Sequence, residues 1–159
     1  MFAATRFLCI LYFTSMRYST FWPRAGAALI DSLILSPLII IDFTVIAWPW
    51  LVASAILQHA YTIIGHALYG QTVGKRIVGI MVVRAHEHLA VRWSDALLRE
   101  TFWIATTIGV LATERTVLEN YGVTAVSIAI LCNILITAIH PRNRGIHDFI
   151  GATVVIRLQ

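Results

Sequence analysis

Between Ala25 and Ala47 the chain carries no basic residue and only two acidic ones, Asp31 and Asp42. A bilayer-crossing helix needs about 20 predominantly apolar residues, and this stretch is long enough. Trp50 to Tyr69 is a second such stretch, with Gln58, His59 and His66 as its polar members; Trp48-Pro49-Trp50 before it reads as a turn with interfacial aromatics. Val123 to Ile139 is a further one, ended by His140-Pro141. Thr101 to Thr113 is weaker: it crosses only if its helix begins near Ser94, with Arg99 and Glu100 at the interface and Arg99 snorkelling. With 58% apolar and 13% charged residues, against about 25% charged in soluble domains, the chain has too little charge to cover a water-facing globule. Disorder and most soluble-enzyme classes are excluded. Cys9 and Cys132 stand far apart, so neither a disulfide scaffold nor a zinc cluster is indicated.

The cations fall on one side of this pattern. Arg6, Arg17 and Arg24 precede the first span. Lys75, Arg76, Arg84, Arg92 and Arg99 lie between the second and third, and Arg142, Arg144 and Arg157 follow the fourth; Arg115 alone falls on the other side. Cationic loops stay cytoplasmic. The expectation is an all-α transmembrane protein: a four-helix membrane bundle in a bacterial inner (plasma) membrane, multi-pass, with both termini cytoplasmic. The net charge of +4 then serves anionic inner-leaflet headgroups, at about 1 kcal/mol per nearby cation, rather than nucleic acid. Residues 1–20 read as an N-terminal extension, either an over-long start or a surface-lying tail, and 21–159 as the membrane domain. The inner loop is rich in β-branched residues from Arg76 to Arg84, with His86-Glu87-His88 able to turn it and Leu89 to Trp93 to return. With the similar tail Ala152 to Leu158, it predicts a small β element at the inner surface.

Asp31 is the residue with the most to explain. A carboxylate at membrane depth should face the bundle interior and find a partner. Arg24, seven residues earlier, shares its face but lies about 10.5 Å down the axis, so a direct bridge is a stretch. Two readings stand: a structural ion pair, or a carboxylate that handles protons or cations. Pro37 removes the helical bond to the Leu33 carbonyl, giving either a simple kink re-satisfied by Ser36 or part of a cation site. Asp42 lies near the outer end, where it can meet water. His59 and His66 share one face of the second span, as satisfied buried histidines or as a proton relay with Asp31. Gln58 and Asn133 read as interhelical hydrogen-bond donors and acceptors. His86-Glu87-His88 lacks metal-site spacing and reads as a solvated turn. Gly70, Gly74 and Gly79 read as close packing and turning where the second helix leaves the membrane. Nothing matches a nucleophile elbow, Walker loop or dinucleotide fingerprint, so no enzyme activity, cofactor or metal is expected.

Three segments in order resemble the RDD family of small polytopic membrane proteins: FWPRAGAALIDSLIL with Arg24 and Asp31, GQTVGKRIVGIMVV, and RGIHDFIGATVV with Asp148. Pro23 and Val73 depart from the family pattern. The resemblance implies membrane transport, with sodium–proton exchange among the proposed activities and no assigned substrate. It also sharpens an expectation for Asp148: pairing with Arg24, Lys75 or Arg76, tying the tail to the first helix and the loop. The resulting candidate set is Arg24, Asp31, Asp148, Lys75 and Arg76 as a charge network, with His59 and His66 as a proton relay. The function expected is cation- or proton-coupled transport of an unknown ligand, with a homo-oligomer as the way for so few helices to form a pathway. The alternative is a structural or accessory membrane protein whose charges only stabilise packing.

Overall fold

A computed structural model describes residues 17–45, 47–113 and 119–158. The expectations for the first sixteen residues and for the Glu114 to Arg115 loop fall outside these. The chain forms α1 (Phe21–Thr44), α2 (Trp48–Tyr69), a short α3 (Val73–Val78), β1 (Ile80–Arg84), α4 (Trp93–Thr113), α5 (Glu119–Ile139), a short α6 (Ile146–Ile150) and β2 (Thr153–Arg157). Three helices are long and apolar enough to cross a membrane: α1, α2 and the Tyr121–Ile139 part of α5. α4 is of similar length but carries Asp95, Arg99 and Glu100 in its first half. The snorkelling expected of Arg99 does not occur: it is 4% exposed and Glu100 3%, both turned inward to partners of opposite charge.

The long helices are apolar outward. Leu33 is 64% and Phe43 80% exposed on α1, the arrangement of a helix whose solvent is lipid. The kink at Pro37 takes its plain form, since Ser36 Oγ donates to the Leu33 carbonyl at 2.8 Å. Trp48-Pro49-Trp50 is not a separate turn but the opening of α2, where proline suits a position that has no helical N–H bond to lose. α2 stops at Gly70, whose φ of +68° is in the left-handed region that glycine enters freely.

The apolar core sits in the sheet and beneath it. β1 and β2 pair antiparallel, from Ile80 opposite Arg157 to Arg84 opposite Thr153. Ile80, Val82, Val154 and Val155 are buried, and Ala27 of α1 and Ala96 of α4 pack in the same core. Loop and tail therefore join as expected, with two corrections. Strand structure begins at Ile80 rather than Arg76, because Gly79 at φ +72° ends α3 first. The return segment makes only an isolated bridge, Ala90 to Val83, before α4 begins. On the other edge of the sheet Tyr18 bridges to Ile156, and Arg157 N–H donates to the Arg17 carbonyl at 2.9 Å. Both edges are thus covered, and the two ends of the described chain lie together.

Gly74 seats α3 against α1. A Cβ there would overlap the Ala27 carbonyl oxygen and the Asp31 carboxyl group, whereas one at Gly26 would meet nothing. Gly74→Ala is therefore expected to cost about 1–3 kcal/mol and Gly26→Ala nothing comparable, read as thermal unfolding of the two purified variants in the same detergent.

Candidate functional site

α1, α2, α4 and α5 surround a cavity of about 760 Å³, with side chains of α3 and α6 at its inner end. At that end stands the buried carboxylate of Asp148. Its residue is 0% exposed, held by Arg24 Nη1 on Oδ2 at 2.6 Å and by Arg99 Nη1 on Oδ1. Oδ2 also accepts the Gly145 N–H at 3.0 Å, and Arg99 Nη1 reaches Thr153 Oγ1 at 2.8 Å. Four elements thus meet on one carboxylate: α1, α4, α6 and β2. Burial pushes the Asp148 carboxyl up, but Arg99, with His147 and Arg24, holds it well below the usual carboxylate range.

Of the expected partners, the structure brings Arg24 to Asp148. Lys75 and Arg76 do not bond to it: Lys75 Nζ lies 2.5 Å from His66 Nε2 and Arg76 is exposed. The second cation is Arg99, a residue assigned to the membrane interface on sequence grounds. Only its place beside Glu100, before an otherwise uncharged helical run, could have flagged it. Burial, followed by the nearby Arg99 guanidinium, pushes the Lys75 ammonium down to about 7.

Asp31 is satisfied differently. Oδ1 accepts the Tyr61 hydroxyl at 2.7 Å and the Gly74 N–H at 2.7 Å; Oδ2 accepts the Thr72 hydroxyl at 2.5 Å. Every one of these donors is neutral, and no bond joins Asp31 to Arg24 or to either histidine. Thr72 and Gly74 open α3, so Asp31 caps that helix from a neighbouring one. The GQTVGKR segment acquires a physical reading: Gly70 ends α2, Thr72 and Gly74 receive Asp31, and Lys75 meets His66.

The expected His59–His66–Asp31 relay does not assemble. His59 Nδ1 lies 2.8 Å from Glu100 Oε1 and Nε2 lies 3.1 Å from Thr107 Oγ1. With Glu100 ionised, Nδ1 carries the proton and Nε2 accepts from the threonine hydroxyl. Gln58 donates to Ser54 Oγ on its own helix at 3.0 Å, and Ser54 Oγ in turn donates to Asp42 Oδ2 of α1 at 2.9 Å, so its link to another helix is indirect. Asn133 ties α5 to α6: its Oδ1 accepts the Ile146 N–H at 2.8 Å and His147 Nδ1–H at 3.0 Å. His86 and Glu87 lie in a turn, with Glu87 bridged to Arg84 at 2.7 Å. Among the described residues no group of three or more His, Cys, Asp or Glu side chains could hold a metal.

A small helical protein with several apolar spans, a cap of sheet and short helices, and charged side chains turned into its interior is a polytopic membrane protein. The family model for the RDD family matches residues 18–152, and the chain belongs to that family. It is 26% identical over 157 residues to the uncharacterized membrane protein YteJ of Bacillus subtilis (strain 168), covering 87% of this chain and 80% of the relative. No solved structure matches.

Removing Asp148 strands two buried guanidinium groups. Asp148→Asn is expected to cost about 3–5 kcal/mol, visible as lost yield of monodisperse protein in detergent. His147 gives a pH signature. Burial, then Arg99, pushes its imidazole down to about 3, whereas an unfolded histidine titrates near 6.5. Below about pH 6.5 the unfolded chain therefore takes up a proton that the folded chain refuses, and stability falls with pH down to about 3. Thermal midpoints across pH 4 to 8 should show that fall, and His147→Asn, which keeps a donor for Asn133, should flatten it.

Proposed function

We propose that this chain is a proton-coupled transport protein of a bacterial inner membrane rather than an enzyme. In this reading α4 is the fourth crossing, both termini are cytoplasmic, and the basic inner face rests on anionic headgroups, with a homo-oligomer as the working unit. The observation that carries the proposal is the buried His59–Glu100 pair on the wall of the cavity, halfway along α2. Such a pair exchanges a proton without rearrangement: neutral imidazole donates one N–H and accepts at the other nitrogen, and imidazolium donates both.

Asp31 is a poorer carrier than its depth suggests. Three donors already fill it, so protonation would leave one of them without an acceptor, at about 1–3 kcal/mol. In this reading it fixes α3 against α1, and proton handling belongs to His59 and Glu100. The accessory reading draws on the same saturation: Asp31 and Asp148 both have the bonding of packing residues.

Reconstitution in phosphatidylethanolamine–phosphatidylglycerol liposomes separates the two. A pH-sensitive dye inside should report proton movement under an imposed membrane potential or sodium gradient. Glu100→Gln should reduce that flux at least tenfold with little change in thermal midpoint. Asp31→Asn should lower the midpoint while flux per folded molecule stays near wild type. Wild-type flux equal to that of empty liposomes would leave only the accessory reading.

A further inference from the structure

Half of the Arg24 guanidinium is unused. Nη1 donates to Asp148, but Nε and Nη2 are buried with no hydrogen-bond partner. These two nitrogens form one edge of the planar group, the edge that takes two oxygens of a carboxylate or phosphate in parallel. Two buried donors left bare are costly. His66 adds a third: with Lys75 donating to Nε2, the neutral ring carries its proton on Nδ1, which is also buried and unpartnered.

The local charge has the same sign. Arg24 and Arg99 share the single carboxylate of Asp148, and Lys75 stands on the same cavity wall. Asp31 and Glu100 are bonded to Tyr61, Thr72 and Gly74 and to His59 respectively. Three cationic side chains therefore converge where one carboxylate compensates them, and this corner lacks an anion.

Access comes from the side. α1 and α5 make no substantial contact with each other, yet both line the cavity. Leu29 of α1, 64% exposed, and Ile134 of α5, 38% exposed, stand at the gap. Between membrane helices such a gap meets acyl chains, not water. A molecule entering there to reach Arg24 needs an apolar body and an anionic head, and about 760 Å³ is within the usual range for a ligand pocket.

We propose that the cavity binds an oxyanion-headed amphiphile, its phosphate or carboxylate on the Nε/Nη2 edge of Arg24 and its tail leaving between α1 and α5. This names the ligand class for the cavity of the transport reading and rests on that reading in taking the cavity as a binding site.

The test is binding to the purified full chain in dodecyl maltoside, followed by native mass spectrometry and thermal shift. The probes are dioctanoyl phosphatidylglycerol, octanoate, octyl glucoside and inorganic phosphate. The two anionic amphiphiles should bind and stabilise, octyl glucoside and inorganic phosphate far less. Arg24→Lys keeps the charge but loses the fork, and should weaken amphiphile binding about tenfold or more. Ala28→Phe narrows the mouth at an exposed position on the cavity wall and should weaken it without touching the cation. Equal affinity in wild type and Arg24→Lys, or octyl glucoside binding as tightly as octanoate, would overturn the proposal. Inorganic phosphate binding as tightly as the lipid would overturn the lateral route. The readout needs no gradient: amphiphile bound without liposome flux sinks the transport reading alone, and flux without amphiphile binding sinks this inference alone.

Discussion

A carboxylate with no exposed surface in a lipid-facing protein has to bring its counter-charges with it, and Asp148 does so from two directions. Desolvating an ion costs several kcal/mol, recovered only by well-placed opposite charge and by hydrogen bonds to the remaining lone pairs. Arg24 at the start of α1 and Arg99 in the first half of α4 supply the charge; Gly145 at the start of α6 supplies an N–H. Arg99 also bonds Thr153 at the start of β2. These contacts fix the inner ends of two long helices, the short α6 and the sheet in one position. The glycines follow from that: a Cβ at Gly151 would press on Arg99, and one at Gly145 on Thr137 and Asn133.

The second carboxylate of the charge pattern uses the opposite strategy. Asp31 is surrounded by hydroxyls and a backbone N–H, not by cations, and it completes the hydrogen bonding of a helix too short to stand alone. One aspartate is thus compensated by charge and the other by dipoles. Both are saturated, which leaves chemistry to groups with unused bonding capacity along the cavity: the His59–Glu100 pair, the Lys75–His66 pair and the free edge of Arg24.

Much of this was legible in the sequence and some of it could not be. Apolar length placed the long helices, and β-branched composition placed strands near Ile80 to Arg84 and Thr153 to Arg157. The Arg24–Asp148 contact, 124 positions apart, was reachable because both residues belong to segments with a family resemblance. Arg99 and Glu100 were misplaced because a charge near the end of an apolar run can snorkel or turn inward, and only the tertiary partner decides which. The histidine relay failed for a related reason. Sharing a helix face puts His59 and His66 on the same side, but the length of one helix separates their neighbourhoods, so one meets α4 and the other α3. Thr72 and Tyr61 carried no signal of their own; they matter because Asp31 needs donors where they stand.

The unclosed seam between α1 and α5 follows from the solvent. In water an apolar gap would close to bury its walls; in lipid no such drive exists, and helices associate through packing and polar contacts. The polar ties run round three sides of the cavity: Ser54 to Asp42 joins α2 to α1, His59 to Glu100 and Thr107 joins α2 to α4, and Asn133 joins α5 to α6, which Asp148 fastens to α1 and α4. No hydrogen bond between described residues crosses directly from α1 to α5. A protein that secures every neighbouring pair except one, and leaves that pair apart over three converging cations, has a lateral opening that its bonding pattern holds in place.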